Sequence, residues 1–304
     1  MSGSDHALSI RVPGSTSNLG PGFDSIGMAI DRYLDLKAVP GERWSFRYLD
    51  SPDFNPPVSE NLIYQTAAAV AKRAGCTLPA QAVQVRSDIP LARGLGSSGA
   101  AIIAGIELAD ALLSLRLSSQ AKATVAGAIE GHPDNVTASL FGGLVVSVQA
   151  GEGVDSVCLP APAFDFVTVI PDFELKTSDA RRVLPASLPF SEAIAGSSVA
   201  NVLIGALINH DGALAGRMME SDHFHQSFRA GLLPHFNETA RVAKRNGAYG
   251  TFLSGAGPTL MALASQTASG AICDALRRTF PSFECTVLHP VAGGAVRTDT
   301  VPES

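Results

Sequence analysis

Apolar positions change period several times along the chain. Residues 8–14 (LSIRVPG) read as a strand that ends at Pro13. Residues 33–39 (YLDLKAV) alternate with the twofold period of a half-buried strand, and 44–49 (WSFRYL) are strand-like beside them. Between the first two lies 15–30 (STSNLGPGFDSIGMAI), a loop around Asn18, Gly20, Pro21 and Gly22 that runs into apolar sequence. Residues 51–61 are loop by composition; Ser59 is placed to cap a helix over 61–75, which Gly75 would end. A strand at 81–89 (QAVQVRSDI) is followed by a glycine-serine turn, 90–100 (PLARGLGSSGA), and a helix with Ile102, Ile106, Ala109 and Leu113 on one face. A second helix over 118–131 ends at Gly131, and 143–149 (GLVVSVQ) reads as a strand. Past the proline-broken 159–164 (LPAPAF), the pattern gives a strand at 165–172, a helix at 197–209 and a helix at 232–247 with one early proline. It closes with strand, glycine turn and strand over 248–265, a helix at 268–280 and a strand at 283–291. Strand and helix alternate in both halves, which predicts an α+β protein with a boundary near residue 160.

Composition narrows the class. The chain has 304 residues, 46% hydrophobic and 16% charged, enough apolar sequence for packed cores. The net charge of -6, without a Lys/Arg run, argues against nucleic acid as a partner. Cys76, Cys158, Cys273 and Cys285 form no CxxC pair, so neither a zinc site nor a disulfide framework is expected. The first residues are polar and lack a signal-peptide core, and no stretch approaches a membrane span without Gly, Pro or charge. The expectation is a cytoplasmic protein without membrane contact.

The glycine-serine turn carries the chemistry. A helix begins with amides that have no intrahelical partner and with partial positive charge. Glycines ahead of it let several amides face one point, which suits phosphate. Ser97 and Ser98 could hold phosphate oxygens or Mg²⁺; equally, they could cap the helix. The spacing is neither the GK[ST] of a Walker A loop nor GxGxxG.

The stretch resembles the second signature of the GHMP kinases (galactose, homoserine, mevalonate and phosphomevalonate kinases): Pro, three variable residues, then GLGSSA, with Gly99 here in place of the alanine. Residues 12–27 (VPGSTSNLGPGFDSIG) resemble the amino-terminal signature of the homoserine kinases in particular, with Gly14 for the usual alanine. Residues 130–143 (EGHPDNVTASLFGG) are similar to the same group, and 253–263 (LSGAGPTLMAL) to the third GHMP signature. The resemblance spans essentially the whole chain.

It implies an α+β, two-domain GHMP kinase fold: residues 1–160 as an ATP-binding domain like the second domain of ribosomal protein S5, and residues 161–304 as a ferredoxin-like α/β sandwich. It implies ATP as cosubstrate, Mg²⁺ held by Ser98 and Glu130, and L-homoserine as acceptor, in threonine biosynthesis. The ATP site would use Pro90, Arg93, Gly94, Leu95, Gly96, Ser97 and Ser98, with Asn61 near the nucleoside. The acceptor site would use Asn18, Asp24, His132, Asn135, Thr177, Arg181, Arg229 and Gly255. Arg181 and Arg229 would grip the carboxylate; Asp24 would take the ammonium or the hydroxyl end. Asn135 stands where some relatives carry an Asp base, and an amide cannot accept the proton. Catalysis through Glu130, Ser98 and Asn135 would therefore be mostly positioning and electrostatics. The resemblance also implies a homodimer. A GHMP kinase for another small hydroxyl substrate, or a non-catalytic binding protein on the same fold, are the alternatives. His223 and His225 read as structural.

Overall fold

The computed structural model describes residues 7–51, 53, 54 and 56–300. Its first hairpin is longer than the sequence pattern suggests. β1 (Ala7–Asn18) pairs antiparallel with β2 (Gly22–Pro40) across a three-residue turn. The expected end at Pro13 is a register shift between Pro13 and Gly14, where a missing amide is tolerated. The strand therefore continues through Ser15, Thr16 and Ser17, all of them at most 1% exposed. Most of the expected loop is strand with a polar, buried end, which a search for apolar alternation passes over.

Next come β3 (Ser45–Tyr48), a 3-10 turn over Val58–Glu60, and α1 (Leu62–Arg73). Asn61, and not Ser59, caps α1: its Oδ1 accepts from the amides of Ile63 and Tyr64. β4 (Gln81–Ser87), α2 (Ser97–Leu113), α3 (Ser119–Glu130), α4 (Asp134–Phe141), β5 (Leu144–Ala150) and β6 (Gly153–Leu159) complete the first half. Gly131 ends α3 in a left-handed conformation, as expected. α2 is packed between the sheet and its neighbouring helices. Ile102, Ile103, Ile106 and Leu108 are at most 1% exposed, so truncating any one to alanine costs about 2–5 kcal/mol.

The second half begins with β7 (Asp165–Ile170), followed by α5 (Thr177–Arg182), α6 (Phe190–Ile208), α7 (Gly212–Glu220) and α8 (Gln226–Arg229). It continues with α9 (Phe236–Arg245), β8 (Gly250–Leu253), β9 (Leu260–Ala264), α10 (Ser269–Thr279) and β10 (Glu284–Leu288). Pro234 precedes α9 and does not lie inside it, because a helix interior cannot hold its ring. The four strands run antiparallel in the order β10-β7-β9-β8, the βαββαβ order of a ferredoxin-like sheet. This is the two-sheet α+β architecture expected of a GHMP kinase fold.

β11 (Val296–Thr300), which the sequence pattern did not disclose, returns to the first sheet and pairs with β1. That sheet runs β11-β1-β2-β4-β3, with β5 and β6 attached through β2. Phe166, Phe252 and Met261 of the second sheet pack into the same apolar core as α2. α6 is long and apolar enough to cross a membrane by length and composition alone, although it contains Glu192 and two glycines.

Candidate active site

The turn ahead of α2 lines a cleft shared by both halves of the chain. Glu130, His132 and Asp134 line it from the α3–α4 junction, Asp24 from the start of β2, and Arg181 and Arg229 from the second half. Pro90, Thr177 at the start of α5, and Ala256 line it too.

The turn is built by close backbone approach. Gly94 and Gly96 take φ of 77° and 76°, the left-handed region that glycine adopts without strain. A Cβ on Gly96 would lie 2.3 Å from Ser15 Oγ, and one on Gly94 2.3 Å from the Ser254 carbonyl oxygen. The Ser15 amide donates to the Leu95 carbonyl (3.1 Å), Ser254 Oγ to the Gly94 carbonyl (2.6 Å), and the Gly255 amide to the Ser17 carbonyl (3.1 Å). Three of the motif stretches are thus bonded to one another, and the Leu95 side chain is buried beneath them.

No side chain caps α2. Its first backbone bond runs from the Ala100 amide to the Gly96 carbonyl (2.9 Å). Among the described residues, the amides of Ser97, Ser98 and Gly99 have no protein acceptor. Ser98 Oγ donates instead to Glu130 Oε2 at 2.8 Å. The capping reading of the serines therefore fails, and the turn keeps the free donors that an anion requires.

Glu130 is the last residue of α3, where the helix dipole disfavours a negative charge. Burial raises its pKa, only partly opposed by the Ser98 hydroxyl. A hydroxyl beside a poorly compensated carboxylate is a hard oxygen donor pair that fits Mg²⁺. Asp24, His132 and Asp134 also bring ligand atoms within 4.8 Å of one another, but all three are already engaged. Asp24 is paired with Arg181, and Asp134 accepts from His132 Nδ1 at 2.6 Å and from the Asn135 amide. Burial acts to lower the pKa of His132, but the contact with Asp134, with Glu130 and Asp24 near by, raises it overall.

The two arginines differ. Arg181 donates to both oxygens of Asp24, at 3.0 and 2.7 Å, a bidentate ion pair. Arg229, only 1% exposed, faces neutral acceptors: Nε donates to the Ala180 carbonyl, and Nη1 to the Gly255 carbonyl and to His225 Nδ1. Its Nη2 has no hydrogen-bond partner among the described residues, and burial and the nearby Arg181 lower its pKa to about 10. It remains a cation at neutral pH without a carboxylate of its own. The Phe23 ring lies 5.4 Å from Arg181 Cζ and 5.2 Å from Arg229 Cζ.

Several expected ligands are otherwise engaged. Asn61 does not line the cleft; its amide caps α1 and donates to Tyr48 Oη. Arg93 lines it, but its guanidinium is held by the carbonyls of Leu91, Pro171 and Asp172. Asn135 accepts from Ser17 Oγ and donates to Ser15 Oγ, which ties α4 to β1. Asn18 donates to the Gly255 carbonyl and accepts from the Asp24 amide. With Arg229 on the same oxygen, Gly255 has its carbonyl filled from within the protein. The cap made by Asn61 is local, but Arg93, Asn135, Asn18 and Gly255 each have a partner tens to hundreds of residues away, which local sequence does not display. Sequence reasoning missed Phe23 and the contact of His225 with Arg229; the signal for the first was its place beside Asp24 in the amino-terminal motif.

The model of the GHMP kinase N-terminal domain matches residues 61–143, and that of the C-terminal domain residues 203–282. A homoserine kinase of Bacillus pumilus is 46% identical over 99% of this chain and 98% of its own length. One of Halalkalibacterium halodurans is 46% identical over 92% of each. Among solved structures, a Listeria monocytogenes protein assigned as a homoserine kinase superposes with a TM-score of 0.83 at 37% identity, covering 96% of this chain and 99% of that one. Homoserine kinase from Cytophaga hutchinsonii gives 0.85 at 27% identity, covering 98% and 99%. A cleft built from three interlocked GHMP motifs, two matching domain models and near-full-length relatives agree: the chain belongs to the GHMP kinases and, among them, to the homoserine kinase family.

Proposed function

We propose that the cleft transfers the γ-phosphoryl group of ATP to the hydroxyl of L-homoserine, giving O-phospho-L-homoserine on the route to threonine. The observation that carries this reading is the uncapped start of α2, whose free amides stand beside the Ser98–Glu130 pair. The triphosphate lies along the turn 94–98, where amide donors and the helix dipole favour phosphate oxygens. Ser98 and Glu130 hold Mg²⁺, which when bound offsets charge on the phosphate oxygens. Arg229, cationic and without an acidic partner, takes the α-carboxylate. Arg181 and Asp24, paired in the free site, separate onto the carboxylate and the ammonium of the zwitterion. Thr177 and His132 line the space between acceptor and phosphates.

The acceptor oxygen forms a bond to phosphorus as the bond to the ADP oxygen breaks, and its proton passes to an oxygen of the transferred phosphoryl group. Asn18, Asn135 and Gly255 act through structure: they fix Asp24, β1 and Arg229. Within this reading residues 1–160 carry the nucleotide and 161–304 most of the acceptor side, with β11 crossing back. The protein works in the cytoplasm as a homodimer. The exposed apolar residues Phe190, Ile194, Val202 and Ile208 of α6 offer a face for that contact, and a monomer's mass in sedimentation removes it.

The test is ADP release with homoserine, threonine, serine, mevalonate and galactose, each with and without Mg²⁺. Homoserine is expected to give the highest kcat/KM, and only with the metal. Turnover of mevalonate or galactose at least as fast overturns the assignment.

A further inference from the structure

His225 belongs to none of the roles above, yet it joins three parts of the acceptor side. It is fully buried and directly precedes α8, the helix that ends in Arg229. Its Nδ1 lies 3.1 Å from Arg229 Nη1, and its Nε2 lies 2.8 Å from the Gly20 carbonyl, in the turn between β1 and β2. The Phe23 ring, which approaches both arginines, stacks on the imidazole with centroids 5.2 Å apart.

These partners fix the tautomer. A guanidinium only donates, so Nδ1 is the acceptor. A carbonyl only accepts, so Nε2 carries the hydrogen. The imidazole is thus neutral, and burial, opposed in part by Asp222 and reinforced by Arg229, lowers its pKa to about 4. Asp222 Oδ2 is 3.7 Å from Nε2, but it already accepts from the amides of His225 and Gln226.

We propose that His225 is a positioning residue for acceptor binding: through a neutral acceptor nitrogen it holds Arg229 Nη1, so that Nη2 is presented to the substrate carboxylate with its charge undiminished. The inference rests on the homoserine kinase reading of the cleft. A carboxylate in place of this nitrogen would compensate the guanidinium from behind and compete with the substrate. An apolar side chain would leave Nη1 with the Gly255 carbonyl alone, and the fork free to turn away. The other nitrogen gives the same imidazole a hold on the turn beside Asn18, whose Oδ1 accepts from the amide of Asp24, the partner of Arg181. One ring therefore sets the spacing between the two ends of the acceptor pocket.

Two substitutions separate the functions of the two nitrogens. His225→Asn can place an oxygen near the Nδ1 position and keep an acceptor for Arg229. His225→Gln can reach the Gly20 carbonyl but gives up that acceptor. Steady-state kinetics would be measured for both, varying homoserine and ATP separately, with homoserinol, which carries an alcohol in place of the carboxylate, as a second acceptor. His225→Gln is expected to raise the homoserine KM about tenfold, the scale of one lost buried hydrogen bond, and to narrow the preference for homoserine over homoserinol. His225→Asn is expected to stay within about threefold of wild type, and the ATP KM within about twofold in both variants.

Equal effects of the two substitutions, or homoserine and ATP KM values rising together, would show a merely structural histidine and overturn the proposal. Should either variant not fold, nitrogen NMR of the ¹⁵N-histidine-labelled wild type decides: a neutral ring protonated on Nε2 at pH 7 is expected, and an imidazolium or an Nδ1–H ring overturns it. A wild-type enzyme that ignores homoserine refutes the kinase reading instead, a separate outcome.

Discussion

Glu130 is placed where a helix least favours a carboxylate, and burial raises its pKa besides. A single hydroxyl donor at 2.8 Å is its one hydrogen-bond partner among the described residues, so the group gains most from a cation. Glu130→Gln keeps shape and hydrogen bonding but removes the charge. Its kcat is expected to fall by about a hundredfold or more, with the homoserine KM changed by less than about threefold, since metal charge acts on the transition state. An unchanged kcat at saturating Mg²⁺ returns Glu130 to a solvated helix end. At this scale the sequence motifs named the residues that meet in the cleft but not which would hold one another. Asp24 and Arg181 are 157 positions apart, and no local pattern shows that they pair in the free site. Nor does local pattern show that distant backbone and hydroxyl groups engage Arg93 and Asn135, which both line the cleft.

At the scale of elements, α2 and the turn before it were legible because glycine, serine and an apolar helical stripe follow in order. The second half of β1 was not, because its buried residues are Ser15, Thr16 and Ser17, polar groups satisfied by α4 and by the loop after β8. β11 was hidden for a related reason: its pairing with β1 is long-range and its sequence has little apolar alternation. The close seating of the turn on β1 gives a graded test. Gly96→Ala introduces a Cβ 2.7 Å from the Ser15 amide nitrogen at a φ that side chains rarely adopt. It is expected to cost about 1–3 kcal/mol of stability and to raise the ATP KM, as the free amides lose their alignment. Gly99→Ala restores the residue usual in the motif, and its Cβ would lie 3.3 Å from Asn135 Cβ, a contact that a small shift relieves. Thermal unfolding and ATP kinetics of the two variants should differ clearly; equal losses in both mean that the backbone at Gly96 is not the constraint.

Across the whole molecule, the two halves are held by a shared core and by polar ties, of which the His225–Gly20 bond is fully buried. That tie makes stability depend on pH with a definite sign. In the unfolded chain a histidine takes up its proton near pH 6.5, whereas His225 in the folded protein does so only near 4. Between these values the unfolded state binds the additional proton, so His225 contributes stability that is complete above pH 6.5 and declines as pH falls toward 4. The full loss is about 3 kcal/mol, since a tenfold difference in proton affinity between the two states is worth about 1.4 kcal/mol. His132 and Glu130 act in the opposite sense, because their raised values favour the protonated folded protein as pH falls. The wild-type profile is the balance of these contributions, and a comparison isolates one of them. Urea unfolding of wild type and His225→Asn across pH 4–7 should give a shallower acid limb for the variant, by roughly the charge of one histidine. Parallel limbs would mean that the folded protein takes up the second imidazole proton over the same pH range as the unfolded chain. Burial and the Arg229 guanidinium would then not hold the ring neutral, and the hydrogen bond from Arg229 to Nδ1 would not be what orients the guanidinium toward the acceptor.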